Sequence, residues 1–197
     1  FSLIKKIVRF RVKENKFVNV NQEESLPTKE EDIIPLDERQ TPDPLIPGTV
    51  LMLGDSLMGG VVPGLRSELP NSYTIVDRSK SVTGLANRGY FNWPETAEKV
   101  AMEIQPEWIV IHLGGNDTQD IRKDGTWLRF GSEQWNIVYA NRINEMIHRI
   151  QNASPKSEII WLGLPVMRPG QYSIKSSQVE QIQRASVISL GIKYIDG

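Results

Sequence analysis

The stretch TVLMLGDSLMGG, residues 49–60, decides how the chain folds. Its first six residues form a short, continuous apolar run, which is typical of a strand buried on both faces. The run ends at Gly54-Asp55-Ser56, where a glycine, an acid and a serine follow one another. The change predicts a buried strand whose carboxyl end opens into a polar turn.

Strand-like and helix-like segments alternate from residue 48 onward. Apolar and β-branched runs predict strands at 49–54, 72–78, 107–115, 158–165 and 192–196. Amphipathic stretches predict helices at 60–69, 94–104, 132–151 and 176–190. This alternation predicts an α/β fold, with a mostly parallel sheet of about five strands and helices on both faces. The loops after the carboxyl ends of the strands are then expected to form the site.

Composition is that of a globular protein and argues against several classes of function. The 197 residues are 39% apolar and 24% charged, which suits one domain with a sizeable core. The net charge of −1 provides no general attraction to nucleic acid, so no nucleic-acid partner is expected. Because there is no cysteine and there are only two histidines, we expect no metal site. Neither G-x-G-x-x-G nor G-x-x-x-x-G-K-[ST] occurs, so a nucleotide binder is disfavoured and no cofactor is expected.

Residues 1–47 differ in character from the rest of the chain. The segment FSLIKKIVRFRV (1–12) places apolar residues at helical spacing opposite basic ones, which fits either a basic helix near a membrane or a segment packed on the domain. Residues 21–47 contain five prolines and eight acidic residues and predict an extended linker or wrapping arm. Because the chain begins with Phe1, we expect it to be a trimmed product, which a signal peptide or anchor could precede. We therefore predict an arm at 1–47 and one domain at 48–197.

Three of the predicted loops carry residues suited to acyl transfer. A serine at a helix start, as at Ser56, has an exposed hydroxyl and a free backbone N–H. The N–H of Gly84, in the loop after the second strand, and the side-chain amide of Asn116, after the third, are further donors for an oxyanion. Each motif alone fits an ordinary turn. Their order after successive strands indicates a serine nucleophile at residue 56.

The motifs GDSLM (54–58) and GGND (114–117), with Gly84 between them, resemble the SGNH hydrolases, also called GDSL-like esterases. The segments VDRSKSVTGL (76–85), FNWP (91–94), LGGNDTQDI (113–121) and WLGLPVMRP (161–169) are similar to a bacterial, mostly extracytoplasmic subgroup. The resemblance covers about residues 48–197. It implies a flavodoxin-like, three-layer α/β/α fold.

The resemblance also implies an activity and a location. It implies a serine esterase or acyltransferase acting on O-linked acyl groups, often acetyl groups on cell-envelope polysaccharide, and a periplasmic or secreted protein. By position, Ser56 is the implied nucleophile. Ser56, Gly84 and Asn116 form the implied oxyanion hole.

The catalytic base is the point at which the sequence departs from these relatives. SGNH hydrolases take it from a D-x-x-H block near the C-terminus, which this sequence lacks. His112 lies in the predicted third strand, where a packed, hydrogen-bonded core residue is expected. His148 is expected to be half exposed on the long helix, far from the strand ends. We expect the block to lie beyond Gly197. The alternative is a domain that has lost catalysis and binds a polysaccharide or a protein partner.

Several polar residues near the predicted site are candidates for binding substrate. Asp77 and Arg78, together with Lys80, suit an anionic or sugar ligand, or else an ion pair that holds their loop. Arg168 and Tyr172 follow the fourth strand and are further candidates.

Other residues of these loops have structural explanations. Asp55 is expected to form a turn or cap the following helix, and Asp117 to brace its loop. Among the aromatic residues of the loops, exposed ones suit stacking on sugar rings, whereas at least two are expected to pack in the core. They are Tyr90, Phe91, Trp93 and Trp127.

Overall fold

The computed structural model describes residues 46–166 and 170–197. The described residues form seven strands: Ile46–Gly54 (β1), Thr74–Ser79 (β2), Pro106–His112 (β3), Ile121–Lys123 (β4), Thr126–Leu128 (β5), Glu158–Leu162 (β6) and Lys193–Ile195 (β7). They also form four helices: Ser56–Glu68 (α1), Trp93–Ile104 (α2), Glu133–Ala153 (α3) and Gln171–Ser189 (α4). None of these four helices is long and apolar enough to span a bilayer. The predicted arm falls outside the described residues up to position 45, and positions 46 and 47 belong to β1.

Five parallel strands form the central sheet, in the order β2-β1-β3-β6-β7. Counting only these five, the order is 2-1-3-4-5, which is the flavodoxin-like arrangement. The chain leaves β1 towards one edge and later crosses back to add β3 on the other side of β1. Ligands of such sheets bind at this switch point, beyond the carboxyl ends of the strands. The loops that follow β1 and β3 are therefore where the fold predicts a binding site.

Helices cover both faces of the sheet, which gives three layers. On one face, α1 packs its buried side chains Met58, Val62 and Leu65 against apolar residues of β1 and β3. On the other face, α2, α3 and α4 enclose a larger core that contains Trp93, Trp135 and Trp161, none of them exposed. The predicted α/β/α sandwich with a parallel sheet of five strands is confirmed.

Several predicted boundaries differ from the structure, and three of them bear on the loops at the carboxyl edge of the sheet. Helix α1 begins at Ser56 rather than residue 60, because the Asp55 side chain caps it and the two glycines that follow are accommodated within the helix. Strand β3 ends at His112 rather than residue 115, because Gly114 adopts a φ of +124° and its carbonyl accepts the N–H of Asp117 in a turn. Helix α4 begins at residue 171, five residues earlier than predicted.

A β-hairpin, formed by β4 and β5, is absent from the predicted elements. Its turn is Asp124-Gly125, where both residues have positive φ, +49° and +80°. Asp-Gly is favoured in the tight turns that need this conformation, so residues 124–125 carry a local signal for the hairpin. The hairpin places Arg122 directly opposite Trp127.

Candidate active site

Asp55 organises the turn that carries Ser56. The Asp55 side chain is fully buried, and its Oδ1 accepts the N–H of Leu57 at 2.8 Å, which caps α1. Its Oδ2 accepts the N–H groups of Gly114 at 3.2 Å and Gly115 at 3.0 Å, which fastens the loop after β3 to the start of α1. Burial raises the pKa of Asp55, and these three N–H groups partly offset the effect. The predicted capping role is confirmed, and the bonds to the two glycines add a link that the sequence does not predict.

Ser56 is the first residue of α1 and is exposed to solvent. Its position at the helix N-terminus places the hydroxyl in the positive end of the helix dipole. No hydrogen bond between described residues uses its backbone N–H. Ser56 thus lies at the switch point of the sheet with an exposed side chain and, among the described residues, an unbonded N–H.

Asn116 joins the loop after β3 to the loop after β2. Its Nδ2 donates to the carbonyl of Thr83 at 2.9 Å, and the peptide that carries this carbonyl also carries the N–H of Gly84. Asn116 is half-buried, and one Nδ2 hydrogen remains after the contact with Thr83. No hydrogen bond between described residues uses the Gly84 N–H. The structure therefore brings the Gly84 and Asn116 motifs into direct contact.

Asp117 braces the loop after β2 from the protein interior. Its Oδ1 accepts the N–H of Ala86 at 2.7 Å, and its Oδ2 accepts the hydroxyl of Tyr139 at 2.7 Å. Gly84 packs so closely on this carboxylate that a Cβ there would lie 2.1 Å from Oδ1. Burial raises the pKa of Asp117 to about 6, although the bonds from Ala86 and Tyr139 act in the opposite direction. The predicted bracing role is confirmed, and space explains why residue 84 is a glycine.

Two buried residues on the helices extend this support and were missed at the sequence level. The Tyr139 hydroxyl accepts a hydrogen bond from Gln183 Nε2 at 2.9 Å, and the same Nε2 donates to the carbonyl of Leu113 at 2.9 Å. The two residues thus connect α3 and α4 to the end of β3. They carried no distinguishing signal, because each occupies an ordinary position on an inner helix face.

The four predicted substrate-binding residues have different positions. The Tyr172 hydroxyl donates to the carbonyl of Gly115, which places the first turn of α4 at the edge of the Ser56 turn. Asp77 accepts the N–H of Ser79 at 2.8 Å, and Arg78 is exposed and donates to the main-chain oxygen of Asp77 at 3.3 Å. Among the described residues, the alternative prediction of an ion pair at Asp77 is wrong. Arg168 lies outside the described residues.

The aromatic residues of these loops divide as predicted. Trp93 is fully buried and its Nε1 donates to Thr83 Oγ1 at 3.0 Å, while Phe91 packs edge-on against it. Tyr90 is 60% exposed and Trp127 is 63% exposed. The prediction that at least two of the four pack in the core is confirmed.

Neither histidine is placed to activate Ser56. His112 is buried at the end of β3, and neither of its ring nitrogens has a hydrogen-bond partner among the described residues, so the predicted hydrogen bonding is wrong. By the alternation of β3, His112 is on the same face as Val110, which packs in the apolar layer under α1. The Gly163 backbone lies near the ring, but without good hydrogen-bond geometry. Trp135, at the start of α3, donates from Nε1 to the carbonyl of Gln119 in the loop after β3. His148 is exposed 13 residues further on, about 20 Å along the helix from that loop. The described residues contain no cluster of acidic and histidine side chains able to hold a metal ion.

Replacing His112 with leucine is expected to stabilise the domain at acidic pH. Burial lowers the pKa of His112 from 6.5 to about 4, so below pH 6.5 the unfolded chain binds a proton that the folded chain excludes. The resulting loss of stability is about 2–3 kcal/mol as the pH falls to 4.5, and the leucine variant avoids it. Urea denaturation of both proteins at pH 7 and 4.5 measures the difference. Equal losses would contradict the prediction, and His148→Leu, at an exposed site, serves as the control.

Comparison with protein families places the chain within one of them. A family model described as "Protein of unknown function (DUF459)" matches residues 49–197. A search of curated protein sequences finds no significant match.

Solved structures share this fold at low sequence identity. Est24, a carbohydrate acetylesterase from Sinorhizobium meliloti, aligns at a TM-score of 0.58 and 14% identity over 75% of this chain and 83% of that one. The aryl esterase of M. smegmatis aligns at a TM-score of 0.57 and 12% identity over 75% of this chain and 83% of that one. The periplasmic domain of the Salmonella ser. Paratyphi A lipopolysaccharide acetyltransferase aligns at 0.53 and 16% identity over 76% of this chain and 66% of that one, just under two thirds. At these identities the likeness concerns the fold.

Proposed function

The chain belongs to the DUF459 family and has the SGNH hydrolase fold, and from this premise we propose that it is a serine esterase or O-acyltransferase with Ser56 as its nucleophile. One observation carries the proposal. The buried Asp55 carboxylate holds the amides of Gly114 and Gly115 against the start of α1, where Ser56 is exposed. The same loop carries Asn116, whose second Nδ2 hydrogen is not used by the bond to Thr83. A serine hydroxyl at a switch point beside such a donor suits nucleophilic attack on an ester.

The proposed reaction proceeds in two acyl-transfer steps. Ser56 Oγ attacks the ester carbonyl carbon and loses its proton to a base, while the N–H groups of Ser56 and Gly84 and the amide of Asn116 stabilise the oxyanion. The carbon–oxygen bond to the alcohol then breaks, and the alcohol leaves with the proton. Water or a sugar hydroxyl attacks the acyl-enzyme by the same steps in reverse order, which frees Ser56. The proposed base is the histidine of a D-x-x-H block following Gly197.

The proposed substrate is an O-acylated, most simply O-acetylated, carbohydrate of the cell envelope. Two proteins with this fold are described as a carbohydrate acetylesterase and a lipopolysaccharide acetyltransferase, which supports this substrate class. The name of the second, a periplasmic domain, supports a location outside the cytoplasm. Proximity to a membrane through residues 1–47 is proposed on the basic, amphipathic pattern of residues 1–12. Asp77, Arg78, Arg168 and Tyr172 are proposed to contact the substrate.

A second candidate is a non-catalytic module that binds a polysaccharide or a protein partner in the same cleft. The histidines favour it, because His112 is buried without a ring hydrogen bond to any described residue and His148 is remote from Ser56. The two candidates make opposite predictions about covalent chemistry at Ser56.

Ser56→Ala is expected to abolish esterase activity. The measurement is p-nitrophenyl acetate hydrolysis by the full-length protein, including whatever sequence follows Gly197, together with covalent labelling by a fluorophosphonate. Removing a serine nucleophile costs about 10⁴-fold or more in rate, and the label should disappear with it. Ser67→Ala changes an exposed serine of the same helix and should leave both readouts unchanged. Hydrolysis that survives in Ser56→Ala would exclude Ser56 as the nucleophile, and an unlabelled, inactive wild type would favour the binding module.

A further inference from the structure

A cavity of about 470 Å³ lies between the β4–β5 hairpin and the loop after β2. The residues that line it with polar or aromatic side chains are Asn87, Arg88, Gln119, Asp120, Arg122 and Trp127. A second hollow of about 490 Å³ shares Arg88 and Arg122 with it and continues towards α3. Together they form an open cleft bordered by the hairpin, the loop after β2 and α3, which we call the hairpin cleft.

The hairpin cleft and the candidate active site share the loops after β2 and β3. Gln119, in its wall, donates from Nε2 to the main-chain oxygen of Asn116 at 2.6 Å. Asn87 follows Ala86, whose N–H is held by the buried Asp117 carboxylate. The cleft is therefore bounded by the loops that carry Gly84 and Asn116. A substrate that occupied both places would pass along these two loops.

Trp127 presents a large aromatic surface in the cleft. Its side chain is 63% exposed, and Arg122 from the opposite strand lies over the ring at 5.9 Å from the centroid. The hairpin is anchored by Ile121, which is fully buried in the core, so the indole stands on a rigid support. An exposed tryptophan on a fixed element is a costly arrangement in a free protein and an effective one for binding a ligand with an apolar face.

Two of the charged groups around Trp127, Arg88 and Asp120, are already held in place. Arg88 forms two hydrogen bonds with Glu145, at 2.7 and 2.8 Å, and Asp120 accepts the N–H of Phe130 at 2.8 Å. The lining groups are amides, a carboxylate and guanidinium groups, whose paired donors and acceptors match neighbouring hydroxyls. The pairing of Arg88 with Glu145 and the acidic Asp120 mean that the described lining does not form the basic stripe that nucleic acid requires.

We propose that the hairpin cleft is a subsite for the carbohydrate part of the substrate, with a sugar ring stacked on Trp127 and its hydroxyls bound by Asn87, Asp120 and Arg122. The apolar C–H face of a pyranose ring matches the indole, and its equatorial hydroxyls match the surrounding amide, carboxylate and guanidinium groups. The inference deepens the proposed function and rests on it for the link between sugar binding and acyl transfer. The hairpin would then select a glycan ester over a small ester.

Binding of polysaccharide in the absence of turnover tests this subsite. Full-length protein carrying Ser56→Ala is run through native gels containing partially acetylated xylan, acetylated alginate or partially acetylated chitosan, and retardation measures affinity. At least one polysaccharide is expected to retard the protein. Trp127→Leu, which keeps an apolar side chain without an aromatic face, is expected to weaken that affinity about tenfold. Trp127→Phe should retain most of it.

Two controls separate binding from folding and from catalysis. Met102→Ala removes an equally exposed apolar side chain from the far end of α2 and should bind as the parent does. The melting temperature of each Trp127 variant should match that of its parent. Affinity unchanged in Trp127→Leu, or no retardation by any of the three polysaccharides, overturns the subsite. Because fluorophosphonate labelling of Ser56 is read separately, failure of the subsite is distinguishable from failure of the proposed function.

Discussion

Asp55→Ala is expected to destabilise the domain by about 3 kcal/mol, because three backbone N–H groups lose their acceptor together. The carboxylate is fully buried and bonds to Leu57, Gly114 and Gly115. Its removal deletes the cap of α1 and frees the loop after β3 in the same step. Relief from the cost of burying a charge offsets only part of this loss. Guanidinium chloride denaturation of the wild type and the variant at pH 7 measures the difference.

Asp77→Ala provides the matched control for this substitution. Asp77 lies near the end of the neighbouring strand β2, but it is only half-buried and accepts a single N–H, from Ser79. Its loss is expected to cost about 1 kcal/mol or less. The destabilisation by Asp55→Asn should fall between those of Asp55→Ala and Asp77→Ala. The amide keeps one acceptor oxygen, but its NH₂ group faces a backbone N–H that then has no acceptor. Equal losses of unfolding free energy for Asp55→Ala and Asp77→Ala would show that the Asp55 bonds to α1 and to the loop of Gly114 and Gly115 contribute little to stability.

Gly84→Ala is expected to destabilise the domain by a similar amount, about 3 kcal/mol. The new Cβ would lie 2.1 Å from Asp117 Oδ1 and 2.8 Å from Cγ, so the buried carboxylate must move. Moving it weakens the hydrogen bonds to Ala86 and to Tyr139, both at 2.7 Å. Thermal and denaturant unfolding measure the loss.

A double-mutant cycle with Asp117→Ala tests the cause of that loss. If the clash with the carboxylate is responsible, Gly84→Ala should cost much less when the carboxylate is already absent. Gly60→Ala is the control for the substitution itself, since a Cβ on this exposed glycine of α1 would meet no described atom of another segment within 4 Å. Alanine there should stabilise the helix by about 0.5–1 kcal/mol. Additive costs in the cycle would contradict the steric explanation.

The tertiary structure decides the role of Trp127. Trp127 falls in a segment without clear periodicity, where sequence alone offers stacking on sugar or core packing. The hairpin turn at Asp124-Gly125 resolves the choice, because it sets Trp127 opposite Arg122 and turns the indole away from the core. Only this geometry makes the residue a candidate for recognising a glycan.

Local chemistry determined much of this protein from the sequence by itself. The apolar run before Gly54 and the alternation of segments after it predicted a parallel sheet, because a strand buried on both faces needs helices on either side. The acid at 55 predicted a helix cap, since capping joins residues only two apart. The order of the Ser56, Gly84 and Asn116 motifs was readable because each follows a strand whose carboxyl end lies at the same edge.

Only the tertiary structure decided the contacts between segments that are distant in sequence. Asp55 meets Gly114 across 59 positions, Asp117 meets Ala86 across 31, and Tyr139 meets Gln183 across 44. Such pairs depend on how helices and strands pack, and no local periodicity encodes them. The same holds for His112, whose lack of a hydrogen-bond partner among the described residues follows from the apolar layer beneath α1. Sequence thus indicated Ser56 as the candidate nucleophile, whereas packing decided which groups support it and that neither histidine reaches it.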